Sequence, residues 1–189
     1  MAAFAAGNPE FVQAIKIIQG HPVSSGFDNS PFYGLNAFRF VDAGGSSTPV
    51  RWMVAPAQPF APASASGAPQ GDNNYLFDAL IASIRQHPLQ WHFIVTIGQP
   101  GDRTDDATIP WPETRETVDA GILTLDSVES EETSPARDIN FDPLVLPNGI
   151  APSDDPLLSA RSAVYSQSFT RRASEKKQPG AITASEVQK

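Results

Sequence analysis

The chain has 189 residues, a length that fits one domain of ordinary size. Its net charge of −8 and pI of about 4.7 argue against nucleic acid and anionic membranes, because both repel an acidic surface. Cysteine is absent, which excludes disulfides, thiolate metal sites and iron–sulfur clusters. No apolar run reaches the roughly 20 residues of a membrane-spanning helix, and the N-terminus lacks the pattern of a signal peptide.

The first third of the chain predicts one helix followed by two strands. Apolar residues recur at helical spacing over Pro9–Gln19, and a His-Pro pair shortly after Gly20 ends the pattern. Alternating residues then predict strands at Tyr33–Asp42 and Val50–Ala55, joined by a Gly/Ser-rich turn. The two strands are expected to form a hairpin.

The middle of the chain repeats this order. Residues 58–72 are rich in Pro, Ala, Ser and Gly and are interpreted as a surface linker inside one domain. A helix is predicted at Asn74–Gln86, a third strand at Trp91–Ile97 and a fourth at Gly121–Val128, after a long loop. The order predicts an α+β fold with an antiparallel sheet.

The C-terminal part holds a Pro-rich loop and a long helix. The loop covers Asn140–Ser153, and the helix is predicted at Asp154–Arg172 with Ser153 as its N-cap. Residues 173–189 are polar, and we expect them to form a disordered tail. The domain is therefore assigned to residues 1–172.

The sharpest local feature is Arg161, followed four positions later by Tyr165 on the last predicted helix. Residues at this spacing share one helix face, so the guanidinium can reach the phenol oxygen or ring. Phenols ionise only near pH ~10 and are poor metal ligands at neutral pH. A guanidinium and a ferric ion would both favour the phenolate. Taken alone, the pair describes a surface arginine beside a half-buried tyrosine, which is the commoner case.

A longer motif surrounds this pair and resembles a segment of the catalase family. That segment reads F-D-P, then P-G-I-x-P-S-x-D, then the R-x-x-x-Y helix, and the spacing from Phe141 to Tyr165 fits it without a gap. Asn148 departs from the pattern at a position that varies in the family. Tyr33–Phe38 resembles a strand of the family that begins Y-G and ends in Phe. Gly98–Asp102 and Pro110–Pro112 are similar to a loop region of the small catalase-related peroxidases.

The resemblance implies a haem cofactor with ferric iron and assigns a role to four residues. Tyr165 would be the axial iron ligand and Arg161 would stabilise its phenolate. Arg172 falls where the family places an arginine that contacts a haem propionate, and Phe141 falls where an aromatic residue lines the haem pocket. Asn36 and Phe169 occupy positions at which larger catalases carry histidine. In the alternative reading, Arg172 only interacts with the helix dipole at the C-terminus of the helix, and Phe141 belongs to the core.

The resemblance also implies that part of the catalytic apparatus lies elsewhere. Catalases use a distal histidine and an asparagine that lie upstream of the first helix seen here, so no catalytic residue is assigned in this chain. None of His21, His87 and His92 matches the distal position. The four predicted strands would form the second half of the family's antiparallel barrel, so we expect a truncated chain or a misassigned start.

By resemblance, the whole protein would decompose hydrogen peroxide as a haem peroxidase or catalase, with an unidentified reductant. Relatives of the small class are often exported, which suggests the periplasm, and a homo-oligomer is considered without a fixed number of subunits. Two other readings remain: an acidic, non-catalytic binding module that kept the scaffold, and an inert fragment.

Overall fold

The computed structural model of the chain describes residues 2–20, 22, 24–63, 74–176, 180 and 182–187. Three of its helices and four of its strands correspond to elements that the sequence predicts. The elements, in chain order, are α1 (Ala2–Gly7), α2 (Pro9–Gly20), β1 (Phe32–Val41), β2 (Ser47–Pro56), α3 (Tyr75–Gln86), β3 (Leu89–Ile97), β4 (Thr117–Leu125), a 3-10 turn (Pro135–Asp138), β5 (Ile150–Pro152), α4 (Pro156–Ser174) and α5 (Ala184–Val187).

The strands form one antiparallel half-barrel sheet in the order β4-β3-β2-β1-β5. The hairpin expected between β1 and β2 is present, with Val41 paired to Ser47 beside the turn. The α+β fold with an antiparallel sheet and flanking helices is confirmed. The fifth strand was not predicted, because β5 is only three residues long inside a Pro-rich loop. It pairs with Phe38–Phe40 of β1 and so brings the start of α4 to this edge of the sheet.

Most of the buried apolar residues lie on the sheet, and α3 and α4 contribute Ile81 and Leu158. Alternate residues of β3 share one face, and Leu89, Trp91 and Val95 are buried there. Val50 of β2 and Leu158 of α4 are buried as well. All nine residues of β4 are exposed, so this strand forms one edge of the sheet. The buried anchor at Leu158 fixes one face of α4 and leaves the neighbouring face available for a site.

The predicted start of the fourth strand at Gly121 was wrong, because β4 begins four residues earlier at Thr117. Gly121 lies inside the strand with a φ of +148° and pairs with Phe93, whereas Asp119 pairs with Ile94. One extra residue between these two pairs makes a bulge, and glycine adopts this backbone conformation without a steric penalty. The glycine was therefore taken for the first residue of the strand, although four strand residues precede it.

The predicted N-cap of the last helix was also wrong. The side chain of Asp155 accepts a hydrogen bond of 2.9 Å from the backbone N–H of Leu157, and Pro156 takes the first helical position. Ser153 instead accepts a bond of 3.3 Å from the N–H of Asp155. The helix runs to Ser174, two residues beyond the predicted end.

The structure describes only the first part of the predicted linker. At residues 58–63 the chain folds back on an earlier segment, where the Ser25 N–H donates to the Ala61 carbonyl at 2.8 Å. The remainder of the linker, like His21, lies outside the described residues. Near the C-terminus, the N–H of Ala184 in α5 donates to a Glu132 carboxylate oxygen at 3.3 Å. Within the described ranges, no helix is both long and apolar enough to cross a bilayer.

Candidate cofactor site on helix α4

Helix α4 places Arg161 and Tyr165 one turn apart on the same face, as their spacing predicts. A guanidinium N–H of Arg161 donates to the Tyr165 hydroxyl oxygen at 3.3 Å, and the guanidinium carbon lies 5.5 Å from the centre of the ring. The hydrogen bond is long, so the contact orients the two groups without joining them tightly. Tyr165 is half-buried. Its oxygen is therefore held beside a permanent positive charge and is still accessible.

A buried polar pair holds Arg161 from the other side. A second guanidinium nitrogen donates to the side-chain carbonyl of Asn36 at 2.6 Å, and the Asn36 amide donates to Asp155 at 2.8 Å. Asn36 lies on β1 and is 5% exposed, and Asp155 is 3% exposed. The sheet thus fixes a side chain on α4 through a chain of hydrogen bonds that ends at Tyr165.

Phe141 lies in the loop before β5, and its ring is 71% exposed. The next residue, Asp142, fastens this loop to α4, because one carboxylate oxygen accepts a hydrogen bond of 2.7 Å from the Ser162 hydroxyl. The other oxygen accepts a bond of 2.8 Å from the N–H of Leu144. The loop that carries Phe141 is therefore tied to the helix turn that carries Arg161.

Arg172 is half-buried near the end of α4. Its guanidinium donates to the Ile139 carbonyl at 3.2 Å and lies 5.8 Å from the centre of the Phe169 ring. It is thus engaged with the same loop that carries Phe141. Among the four site residues named from the sequence, Arg161 and Tyr165 are in direct contact, and Arg172 contacts the loop that carries Phe141.

Two apolar side chains on α4 escaped the sequence analysis. Leu157 and Val164 lie four positions before and three after Arg161, so they share its helix face with Tyr165. They are 49% and 63% exposed. Exposed apolar side chains beside a phenol and two arginines fit a flat, largely apolar group with anionic edges, and a haem has this character. The helical spacing of Leu157, Arg161 and Val164 was the signal that could have found them.

The described part of the chain has no cluster of three or more His, Cys, Asp or Glu side chains arranged to bind a bare metal ion. One tyrosinate from the protein is nevertheless enough to bind a haem iron, because the macrocycle supplies the other ligands. The donor set of this face, one phenol with a neighbouring guanidinium, therefore fits haem.

The histidines that the structure describes, His87 and His92, are far from Tyr165 in the sequence. His92 on β3 forms a 2.7 Å contact with Asp119 across to β4, and this hydrogen bond lowers the pKa of the Asp119 carboxyl. His87 is exposed after α3, with a ring nitrogen 3.1 Å from the Pro88 carbonyl. His92 is therefore a hydrogen-bonded residue of the sheet.

The loop between β3 and β4 is organised around Arg51 of β2. The Arg51 guanidinium donates to three backbone carbonyls, those of Arg103 at 3.3 Å, Asp106 at 3.2 Å and Ile109 at 2.9 Å. It also lies 4.7 Å from the centre of the Trp111 ring, a cation–π distance. Burial lowers the pKa of Arg51, and nearby carboxylates oppose this shift.

An ion pair closes the two ends of this loop. Arg115 makes two hydrogen bonds of 2.8 Å to the carboxylate of Asp102, whose side chain is 5% exposed. The hydrogen bond from Arg115 lowers the pKa of Asp102. The loop also reaches α4, since the Thr104 hydroxyl donates to Asp154 at 2.5 Å.

An antiparallel half-barrel that packs against a helix with an Arg–Tyr pair is the arrangement that the sequence resemblance implied. A family model described as Catalase matches residues 1–183. The chain therefore belongs to the catalase family.

Relatives and solved structures agree with this assignment. The chain is 37% identical over 163 residues to a catalase-related peroxidase of Synechococcus elongatus. The matched region covers 85% of this chain and 47% of that protein. It is 32% identical over 166 residues to a catalase-related peroxidase of Mycolicibacterium paratuberculosis, covering 87% and 53%. The chain thus spans about half the length of the curated relatives it matches.

Two solved structures show the same fold. A bacterial catalase superposes with a TM-score of 0.76 at 19% identity, over 90% of this chain and 35% of that one. A fungal catalase superposes with a TM-score of 0.69 at 18% identity, over 82% and 32%.

Proposed function

We propose that this chain forms the tyrosine-bearing half of a haem peroxidase or catalase that decomposes hydrogen peroxide. The observation that carries the proposal is the contact between Arg161 and Tyr165 at 3.3 Å, on a helix face that also exposes Leu157 and Val164. Membership of the catalase family and the two catalase-related peroxidase relatives support it.

In this proposal the phenol oxygen of Tyr165 would hold the iron of a ferric haem. To hold the iron, the phenol would give its proton to solvent, and Arg161 would stabilise the negative charge on the oxygen. Arg161 can do so without moving, because Asn36 already holds its guanidinium beside the ring. When bound, haem supplies the redox chemistry that cleaves the oxygen–oxygen bond of the peroxide.

Two further residues would complete the contact with the cofactor. The exposed ring of Phe141 would pack against the macrocycle, and the Asp142–Ser162 bond would hold it there. The guanidinium of Arg172 would bind a haem propionate and would keep its hydrogen bond to the Ile139 carbonyl. Neither group would react; both would set the position of the cofactor relative to Tyr165.

Different parts of the whole protein would supply different residues of the active site. Residues 1–172 would be the C-terminal half of the catalase core, and residues 173–189 an appended segment. The distal histidine and asparagine that act on the peroxide would come from another part of the protein. A second peroxide molecule or another reductant would complete the reaction.

A titration of the purified chain with haemin tests the proposal. We expect stoichiometric binding and a high-spin ferric spectrum with phenolate charge-transfer absorption. Tyr165→Phe should abolish that absorption, because its side chain has no oxygen. Tyr75→Phe is a matched control, since Tyr75 is also half-buried but lies on α3. An unchanged spectrum in Tyr165→Phe would contradict the ligand assignment, and an absence of specific binding would favour a non-catalytic or inert chain.

A further inference from the structure

Part of the chain beyond α4 folds back and lies against α3. A guanidinium N–H of Arg85, in the last turn of α3, donates a hydrogen bond to the Glu186 carbonyl of α5. The Glu186 carboxylate accepts bonds of 2.7 Å from the Thr183 backbone N–H and 2.8 Å from its hydroxyl, and these bonds hold the start of α5. On the other side, the N–H of Ala184 donates to Glu132. This returning segment therefore joins α3 to the residues that follow β4.

A cavity of about 430 Å³ lies between the returning segment, α3 and the residues after β4. Its apolar walls come from Leu80 and Ile81 of α3, from Val128 and from Ile182 of the returning segment. Ile81 is only 6% exposed, whereas Phe77, one turn earlier on α3, lines the cavity with a ring that is 48% exposed. The volume falls within the roughly 300–1,000 Å³ that is usual for small-molecule sites.

Among the described residues that line this cavity, the only charged side chains are those of Glu129 and Glu131. Both are exposed, and neither carboxylate forms a hydrogen bond or an ion pair with another described residue. Glu131 lies beside the returning segment, because its Oε2 atom would be 3.5 Å from a Cβ placed at Gly180. An apolar space with two carboxylates at its rim favours a ligand that is itself apolar and positively charged.

We propose that this cavity binds a small aromatic ammonium ion, with the aromatic ring among the apolar walls and the ammonium group beside Glu129 and Glu131. The exposed ring of Phe77 offers the cation a further favourable contact. A neutral molecule of the same shape would gain the apolar contacts alone, and an anion would be repelled. Ile182 is one wall of the cavity, so the ligand also needs the returning segment in place. The site requires neither haem nor the proposed function.

Three ligands of similar size separate the effect of shape from that of charge: 2-phenylethylammonium, 2-phenylethanol and phenylacetate. Each is titrated into the ¹⁵N-labelled chain, and dissociation constants are obtained from the amide shifts. We expect the ammonium ion to bind about fivefold more tightly than the alcohol, because exposed carboxylates attract weakly, and phenylacetate to bind least. The shifts should centre on Ile81, Val128 and Ile182. Equal affinities for the ammonium ion and the alcohol, or shifts centred elsewhere, would overturn the proposal.

A double variant tests the two carboxylates. Glu129→Gln with Glu131→Gln should bring the affinity for the ammonium ion within about twofold of that for the alcohol, and the affinity for the alcohol should not change. The matched control is Glu113→Gln with Glu116→Gln, which removes the same charge from exposed positions before β4. This control should keep the preference for the cation. An equal loss of preference in both double variants would mean that only the net charge matters, and the site would be refuted.

A third variant tests the wall that the returning segment supplies. Ile182→Asn should weaken the binding of both 2-phenylethylammonium and 2-phenylethanol by about fivefold, because it replaces apolar surface with an amide. Ser185→Asn is the control, since Ser185 is exposed on α5 and does not line the cavity. Urea unfolding checks that both variants remain folded. Parent-like affinities in Ile182→Asn would show that the ligand does not bind beneath this segment.

Discussion

Arg161 donates a hydrogen bond of 2.6 Å to Asn36, a residue 125 positions earlier in the chain. The bond joins the last long helix to the first strand of the sheet, and it is the shortest contact in the chain of hydrogen bonds that leads to Tyr165. It also gives the buried carbonyl of Asn36 a charged partner. The pair therefore serves the fold and the candidate site together.

Removing the guanidinium should have a cost in stability that does not depend on haem. Arg161→Leu leaves the Asn36 carbonyl buried without its partner, and we expect the free energy of unfolding to fall by about 1–3 kcal/mol. Urea denaturation measures this change. Arg171→Leu is the matched control, because Arg171 lies on the same helix and is exposed. Equal losses in the two variants would show that the contact with Asn36 contributes nothing specific.

Arg51 should be required for the order of the loop between β3 and β4. Arg51→Ala removes the donor to the carbonyls of Arg103, Asp106 and Ile109 together with the contact to Trp111. We expect a loss of about 2–3 kcal/mol and faster tryptic cleavage after Arg103. Millimolar guanidinium should slow the cleavage again in Arg51→Ala but not in the parent. Unchanged cleavage in Arg51→Ala would contradict the organising role.

The Asp102–Arg115 pair should make stability depend on pH in the acid range. The hydrogen bond from Arg115 lowers the pKa of Asp102 in the folded state, so the unfolded chain binds its proton first as the pH falls. The pair's contribution is complete above the unfolded pKa of about 3.9 and is lost as the pH falls through the lower, folded value. Asp102→Asn should remove this part of the acid dependence.

Thermal melts of the parent and Asp102→Asn between neutral and strongly acid pH would measure the effect. Asp105→Asn is the control, because Asp105 pairs with Arg103 at a more exposed position, where solvent screens the charge. Parallel pH profiles for the parent and Asp102→Asn would show that the pair does not contribute in this way.

Gly34 on β1 should not tolerate a side chain. A Cβ atom there would lie 2.6 Å from the Trp52 ring, which stacks on Phe93 with centroids 5.5 Å apart. Gly34→Ala should push the indole away and lower the free energy of unfolding by about 1–3 kcal/mol. Near-ultraviolet circular dichroism and urea unfolding would measure both effects. Gly7→Ala is the control, since a Cβ at Gly7 would meet nothing within 4 Å, and an equal loss there would contradict the argument.

Local patterns predicted most of the elements, because helices and strands follow from the spacing of apolar residues along the chain. The boundaries failed where one residue could support two readings. Gly121 was predicted to begin the strand and lies at a bulge inside it, and Ser153 was predicted to provide the cap that Asp155 provides. β5 was missed because three residues carry no periodic pattern, and only pairing with β1 makes them a strand.

For the candidate site, the sequence by itself determined that Arg161 and Tyr165 share a helix face, because helical geometry places residues four apart one above the other. Only the tertiary structure decided what lies behind the guanidinium. Asn36 meets Asp155 and Arg161 because β1 packs against the start of α4, and contacts across more than a hundred residues leave no periodic trace in a single sequence. That packing joins a common arginine–tyrosine spacing to a set of directional hydrogen bonds that begins at the buried Asn36–Asp155 pair.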